Sequence, residues 1–262
     1  MVIVHDRKMS LYSIMILTSI ILGFAFIYVN LRINEIPRSI IGYMLLLSIS
    51  CIIYFAKLLT VITSHDSSVN ILNAGLSSLG GATGLLISVI VFTKIYKEKT
   101  RVIQESYAIS LPIMYGISKL GCHFAGCCYG IPYNGIFYTT SKFEETYDKL
   151  FPIQLTESIV FIIIFIVSII IYYKKVKINY LAIEMIMCAV AKFVLDYLRY
   201  SNIGKVITIN QVICFIFLII GTIILIKDKY KERKGKRGKQ TSKYRLNKLF
   251  KRYLYYFTIH FL

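Results

Sequence analysis

Seven stretches of this chain are each apolar for roughly 20 residues, the length that crosses a bilayer core as a helix. They cover about 10–30, 39–62, 69–93, 107–128, 152–173, 179–199 and 206–226. In hydrocarbon every backbone polar group must be paired internally, which leaves helices or closed barrels. No stretch alternates strongly enough to make barrel strands. The expected fold is therefore all-α, a polytopic membrane protein with seven transmembrane helices. Composition excludes the rival classes: 17% charged residues is well below the ~25% of soluble domains, and 56% hydrophobic residues rules out disorder. Six cysteines in 262 residues are too sparse for a disulfide scaffold. The first stretch ends in FIYVNLRINEIPR without a small-x-small cleavage site, so it reads as a true span.

Lys and Arg set the orientation. With the C-terminus in the cytoplasm, 22 of the 31 basic residues lie inside, six outside, and Lys57, Lys119 and Lys192 within spans. Such a bias predicts an extracytoplasmic N-terminus and a cytoplasmic C-terminus. The organisation is a seven-helix membrane domain, 1–226, followed by a basic cytoplasmic tail, 227–262. That tail holds 13 basic and two acidic residues. Anionic lipid, at ~1 kcal/mol per Lys or Arg, accounts for it more simply than nucleic acid, so no nucleic-acid partner is expected. The terminal LFKRYLYYFTIHFL, mixing basic and aromatic residues, is suited to the membrane interface.

Ionisable residues inside spans are costly, and each is a functional candidate. Under this topology most fall toward the outer leaflet: Lys57, Lys119 and His123, Glu157, then Lys192, Asp196 and Arg199. Glu184 is the exception, near the inner start of the sixth span. Small residues follow the same geography, in NAGLSSLGGATG and GCHFAGCCYGIP. Individually these residues are explained by pairing and helix packing. Their convergence points to a polar pocket opening on the outer leaflet. Its cations would hold a lipid phosphate, and Gln154 and Glu157 would hold hydroxyls or move protons. The loop from about 129 to 150 suits a flap or interfacial arm.

Cys122, Cys127 and Cys128 cluster with His123. A metal site lacks a second Cys/His group in an outer loop. A redox pair lacks Cys-x-x-Cys spacing. Packing is the preferred reading, as it is for Cys51, Cys188 and Cys214. A nucleophilic Cys127 or Cys128 beside Lys119 or His123 stands as a further possibility.

In this order, the motifs resemble the prolipoprotein diacylglyceryl transferase family of bacterial membrane enzymes. SKLGCHFAGCCYG, Ser118 to Gly130, aligns with the family signature through Gly121 and Gly130. It is closer to a branch carrying Gly-Cys-Phe-x-Ala-Gly-Cys-Cys-Tyr-Gly. SSLGGATG, with Gly80 and Gly81, is similar to the family's His-Gly-Gly-x-x-Gly. PIQLTE, with Gln154 and Glu157, resembles His-Pro-x-Gln-Leu-Tyr-Glu, and KFVLDYLR followed by ITINQ resembles Arg-x-x-x-Glu-x-x-Arg and its following turn. The resemblance runs from roughly residue 70 to 226. Leu79 stands in place of the family His, Lys119 in place of the signature Arg, and Cys127 in place of the signature Glu. Lys192 and Asp196 replace Arg and Glu, whereas Gln154, Glu157 and Arg199 are retained.

The resemblance implies transfer of the diacylglyceryl group of phosphatidylglycerol, or another anionic phospholipid, to the lipobox cysteine thiol of a secreted preprolipoprotein. It implies a multi-pass protein of the bacterial plasma membrane and no cofactor. Lys119 and Arg199 would hold phosphate, and Lys192 and Asp196 would shape the pocket with Gly80, Gly81, Gly121 and Gly130. Gln154 and Glu157 would orient the glycerol, with Glu157 or His123 accepting the thiol proton. Two alternatives share this fold: another lipid-linked transfer with Cys127 or Cys128 as nucleophile, and a non-catalytic phospholipid-binding homologue.

Overall fold

A computed structural model describes residues 2–64, 70–143, 146–176 and 178–231, without the side chains of 2–10 and 141–148. The tail beyond 231, with its interfacial stretch, lies outside the described residues. Seven helices carry the fold: α1 (Val2–Ile33), α2 (Arg38–Thr63), α3 (Ser78–Ile95), α4 (Thr100–Ala125), α5 (Ile153–Tyr173), α6 (Tyr180–Asp196) and α7 (Ile209–Lys231). Met1–Gly221 form one compact unit. A second unit begins at Thr222, and its described part is the remainder of α7.

Among the described residues, five helices are long and apolar enough to cross a membrane: α2, α3, α5, α7 and Leu11–Ile33 of α1. The other two fall short for a physical reason. α6 has 17 residues and buries Glu184, Lys192 and Asp196. α4 is diluted by Glu105, five serines or glycines and Lys119, all buried. Both turn polar groups toward the interior, so neither needs an apolar surface all round. The outer faces are the reverse of a water-soluble surface. Along α5, Ile159, Ile163, Ile166 and Ile170 make an exposed stripe at helical spacing, which suits lipid.

Element boundaries depart from hydropathy where turn chemistry intervenes. The expected third span began near 69, but α3 starts at Ser78 because Asn70 Oδ1 accepts from the amides of Leu72 and Asn73. That Asx turn takes up the polar end of the apolar run. The expected fourth span, 107–128, is shifted toward the N-terminus, ending where Gly126 turns left-handed at φ 65°. The loop near 129–150 contains an antiparallel hairpin, β1 (Thr139–Phe143) with β2 (Thr146–Leu150), that helical periodicity does not reveal. Its Thr, Tyr and Phe content suits a pleated strand.

Near one end of the bundle, Ile27, Leu31, Ile41, Met44, Val89, Ile103 and Tyr107 form the principal apolar core. Short polar links pin the helices there. Asn30 Nδ2 donates to Ser106 Oγ at 2.7 Å, and Ser48 Oγ lies 3.0 Å from both Ser88 Oγ and the Tyr107 hydroxyl. α3 lies against α2 through glycine: a Cβ at Gly80 would collide with the backbone of Phe55 and Ala56, and one at Gly84 with that of Cys51.

Candidate functional site

The opposite end carries a network of buried ion pairs. Three elements deliver them, namely the last turns of α4, the second turn of α5, and the end of α6 with the segment after it. Glu157 of α5 is fully buried. Its Oε1 accepts from Lys192 Nζ at 2.6 Å, from Arg199 Nη2 at 3.0 Å and from the Tyr115 hydroxyl at 3.4 Å. Its Oε2 accepts from Arg199 Nη2 at 2.7 Å, and Lys119 Nζ lies 3.5 Å away. Asp196 forms the second layer. Lys192 Nζ donates to its Oδ1 at 3.2 Å, while Asn202 Nδ2 and Thr208 Oγ1 donate to Oδ2 at 3.0 and 2.8 Å. Thr208 also caps α7 reciprocally with Gln211: each backbone amide donates to the other's side chain.

Three cations thus share two carboxylates, a net charge of +1. The cations stand in front. Lys119, Lys192 and Arg199 line a cavity of about 480 Å³, whereas Glu157 and Asp196 lie behind them. Lys119 is the least engaged, held by its 3.5 Å ion pair and by the Tyr115 ring 4.9 Å away. The buried Nε of Arg199 approaches Asp196 Oδ1 at 3.5 Å without a hydrogen bond. Burial opposes the Arg199 charge, but the Glu157 carboxylate outweighs it and raises the pKa, so the guanidinium stays charged.

At the rim, the sequence readings divide. Cys122, Cys127 and Cys128 all line the cavity, their sulfurs within 4.8 Å of one another. His123, expected with them, packs its ring against Phe124 and is not among the cavity-lining residues. Gln154 serves the thiol loop: its Nε2 donates to the Cys127 carbonyl at 2.6 Å. The neighbouring Cys122 and Cys127 thiols, and then the charges of Lys119 and Arg199, hold the Cys128 thiol below its ordinary range. Cys127, whose Sγ donates to the Cys122 carbonyl at 3.6 Å, is held above it by its two thiol neighbours and by burial.

The glycines separate as well. Gly81 lines the cavity, whereas Gly80 packs against α2 and Gly121 against Tyr12 and Met15 of α1. Gly130 forms a backbone bridge to Arg199, and a side chain there would strike Phe151. Lys57 lies elsewhere, donating to the Leu72 carbonyl at 2.8 Å. Tyr115, Asn202 and Thr208 were missed by sequence reasoning. For Tyr115 a signal existed, since it lies one helical turn before Lys119.

Residues 1–227 match the profile of the prolipoprotein diacylglyceryl transferase family. The chain belongs to that family. Among the family's curated members, it is 25% identical over 169 residues to the phosphatidylglycerol–prolipoprotein diacylglyceryl transferase of Clostridium tetani, covering 62% of this chain and 68% of that one. It is 28% identical over 167 residues to phosphatidylglycerol–prolipoprotein diacylglyceryl transferase 2 of Clostridium perfringens, covering 60% and 62%. The chain therefore matches less than two thirds of the second relative's length. As a diacylglyceryl transferase family member it is a multi-pass membrane protein.

Proposed function

We propose that this chain transfers the diacylglyceryl group of phosphatidylglycerol to the cysteine thiol of a preprolipoprotein lipobox, at the outer leaflet of a bacterial plasma membrane. All seven helices span in this reading, with the N-terminus outside, supported by the Lys and Arg bias. The names of both relatives carry the same donor and acceptor.

The observation that carries the reading is the net +1 layer of Lys119, Lys192 and Arg199 at the cavity wall, backed by Glu157 and Asp196. Attack by the thiolate sulfur forms a carbon–sulfur bond at the glyceryl carbon and breaks its carbon–oxygen bond to phosphate. The electron pair leaves as glycerol phosphate. Charge accumulates on the departing phosphate, where preplaced cations in a water-poor pocket are most effective. Arg199 and Lys119, both at the cavity wall, hold that phosphate. Glu157 and Asp196 keep the cations apart and oriented. Glu157 accepts too many hydrogen bonds to be a ready proton acceptor.

The test is a mass-shift assay on the full chain in detergent, with phosphatidylglycerol, a single-cysteine lipobox peptide and an Arg199→Ala control. A diacylglyceryl-sized gain on the peptide that requires Arg199 is expected. No gain with lipid still bound would sink the transferase reading. A second reading, with Cys128 as nucleophile, is favoured by its place on the cavity wall and its depressed thiol pKa. It predicts the same mass gain on the protein itself.

A further inference from the structure

Among the described residues lining the cavity there is no carboxylate and no imidazole, so nothing there is placed to take a thiol proton. What the wall does present is three thiols. We propose that Cys122, Cys127 and Cys128 form a three-thiolate site for a divalent thiophilic metal ion, zinc(II) by preference, whose fourth position opens into the cavity.

The geometry arises from how α4 ends. The Gly126 amide bonds the His123 carbonyl and the Cys127 amide bonds the Cys122 carbonyl, both at 3.1 Å. This paired closure around a left-handed glycine sets the residue after the glycine over the one five positions earlier. A spacing of five that matches no metal motif in sequence therefore brings Cys127 onto Cys122. Cys128 follows with φ 59°, a left-handed conformation that costs a non-glycine residue ~1 kcal/mol or more and occurs where surroundings enforce it. Those surroundings are visible. Gln154 holds the Cys127 carbonyl, and the Tyr200 amide donates to the Tyr129 carbonyl at 3.0 Å beside the Gly130–Arg199 bridge.

Sulfur spacing and charge both fit. Tetrahedral zinc with sulfurs at ~2.3 Å separates them by about 3.8 Å, within side-chain rotation of the 4.8 Å spread. Three thiolates and a divalent ion carry −1, which offsets the +1 of the adjoining cation layer. Cys122 is buried, Cys127 half-buried and Cys128 exposed, so protein closes one side and the cavity the other. Three protein ligands with one open position is the arrangement of a zinc site that works on a substrate.

The role of the site rests on the transferase reading. An acceptor thiol taking the fourth position gives up its proton to water and becomes a metal-held thiolate at neutral pH. Its sulfur then attacks the glyceryl carbon as above, forming the thioether while the carbon–oxygen pair leaves on phosphate. The ion changes neither charge nor oxidation state.

Full-length protein, reduced and stripped with chelator, is titrated with zinc(II) against a chromophoric competitor, and with cobalt(II) for its absorption spectrum. One equivalent of zinc and an intense thiolate-to-cobalt band are expected. Cys128→Ser, at an exposed position that folding tolerates, and Cys127→Ser should each weaken zinc binding by more than about 100-fold, beyond the loss of an outer-shell partner. Cys188→Ser should bind as before. A cobalt spectrum without thiolate bands, or binding indifferent to Cys127→Ser and Cys128→Ser, overturns the site. The peptide transfer assay is then run on stripped and zinc-refilled protein. Rate lost and restored supports thiol activation. Rate unchanged at full zinc occupancy overturns activation alone. Arg199-dependent transfer by protein that binds no zinc overturns this proposal and leaves the transferase reading standing.

Discussion

Lys192 Nζ lies 2.6 Å from Glu157 Oε1, joining α6 to α5 through a carboxylate that Arg199 also grips. Removing that carboxylate leaves three buried cations with only Asp196. Breaking a buried pair in this way costs about 3–5 kcal/mol. Glu157→Gln is therefore expected to lower the unfolding midpoint of the detergent-solubilised protein sharply. Asn202→Ala, which trims only the second layer, should lower it by less.

Arg199 uses one nitrogen to reach both oxygens of Glu157, while its buried Nε lies 3.5 Å from Asp196 Oδ1. A lysine keeps the charge without the planar fork. Arg199→Lys should lower turnover with phosphatidylglycerol while preserving some activity. Arg199→Ala should lower it by about 100–1000-fold, the scale for losing one preplaced donor at developing charge. Single-turnover rates at saturating lipid measure both.

Gly80 and Gly81 are adjacent in sequence and face different surroundings. A Cβ at Gly80 meets the backbone of α2, whereas at Gly81 the nearest atom is 3.5 Å away, on the Ile52 side chain. Overpacking costs about 1–3 kcal/mol. Gly80→Ala should destabilise the protein by that amount and Gly81→Ala should leave stability near its starting value. Chemical unfolding of the two variants side by side decides it.

The 2.6 Å bond from Gln154 to the Cys127 carbonyl anchors the thiol loop to α5. Gln154→Leu removes it, at a net cost of ~1 kcal/mol, about five-fold in a local opening equilibrium. Alkylation of Cys127 should accelerate by that factor while Cys188 is unchanged, read by peptide mass mapping.

Much of the scaffold was legible because hydropathy is a local property. Five helices are apolar enough to span, and α5 begins and ends where its isoleucine-rich run does. α3 started late and α4 shifted because Asn70 and Gly126 impose turn geometries that an apolar average ignores. The hairpin was illegible for a similar reason, its pairing being between strands rather than within a window.

The candidate site was legible as a set of residues and illegible as an arrangement. Lys119, Glu157, Lys192, Asp196 and Arg199 stood out because charge in an apolar stretch is costly wherever it falls. That Glu157 sits behind the cations and not in the cavity follows from the packing of α4, α5 and α6. His123 shares a sequence cluster with three cysteines that the turn at Gly126 gathers, leaving the imidazole against Phe124.

By itself the sequence determined the membrane class, the apolar segments and the order of the family's motifs, all carried by residue type along the chain. Only the tertiary structure decided which charges pair, which glycines pack, and that residues 122, 127 and 128 meet. Those outcomes are set by contacts between distant segments and by one left-handed turn, and no local spacing encodes either.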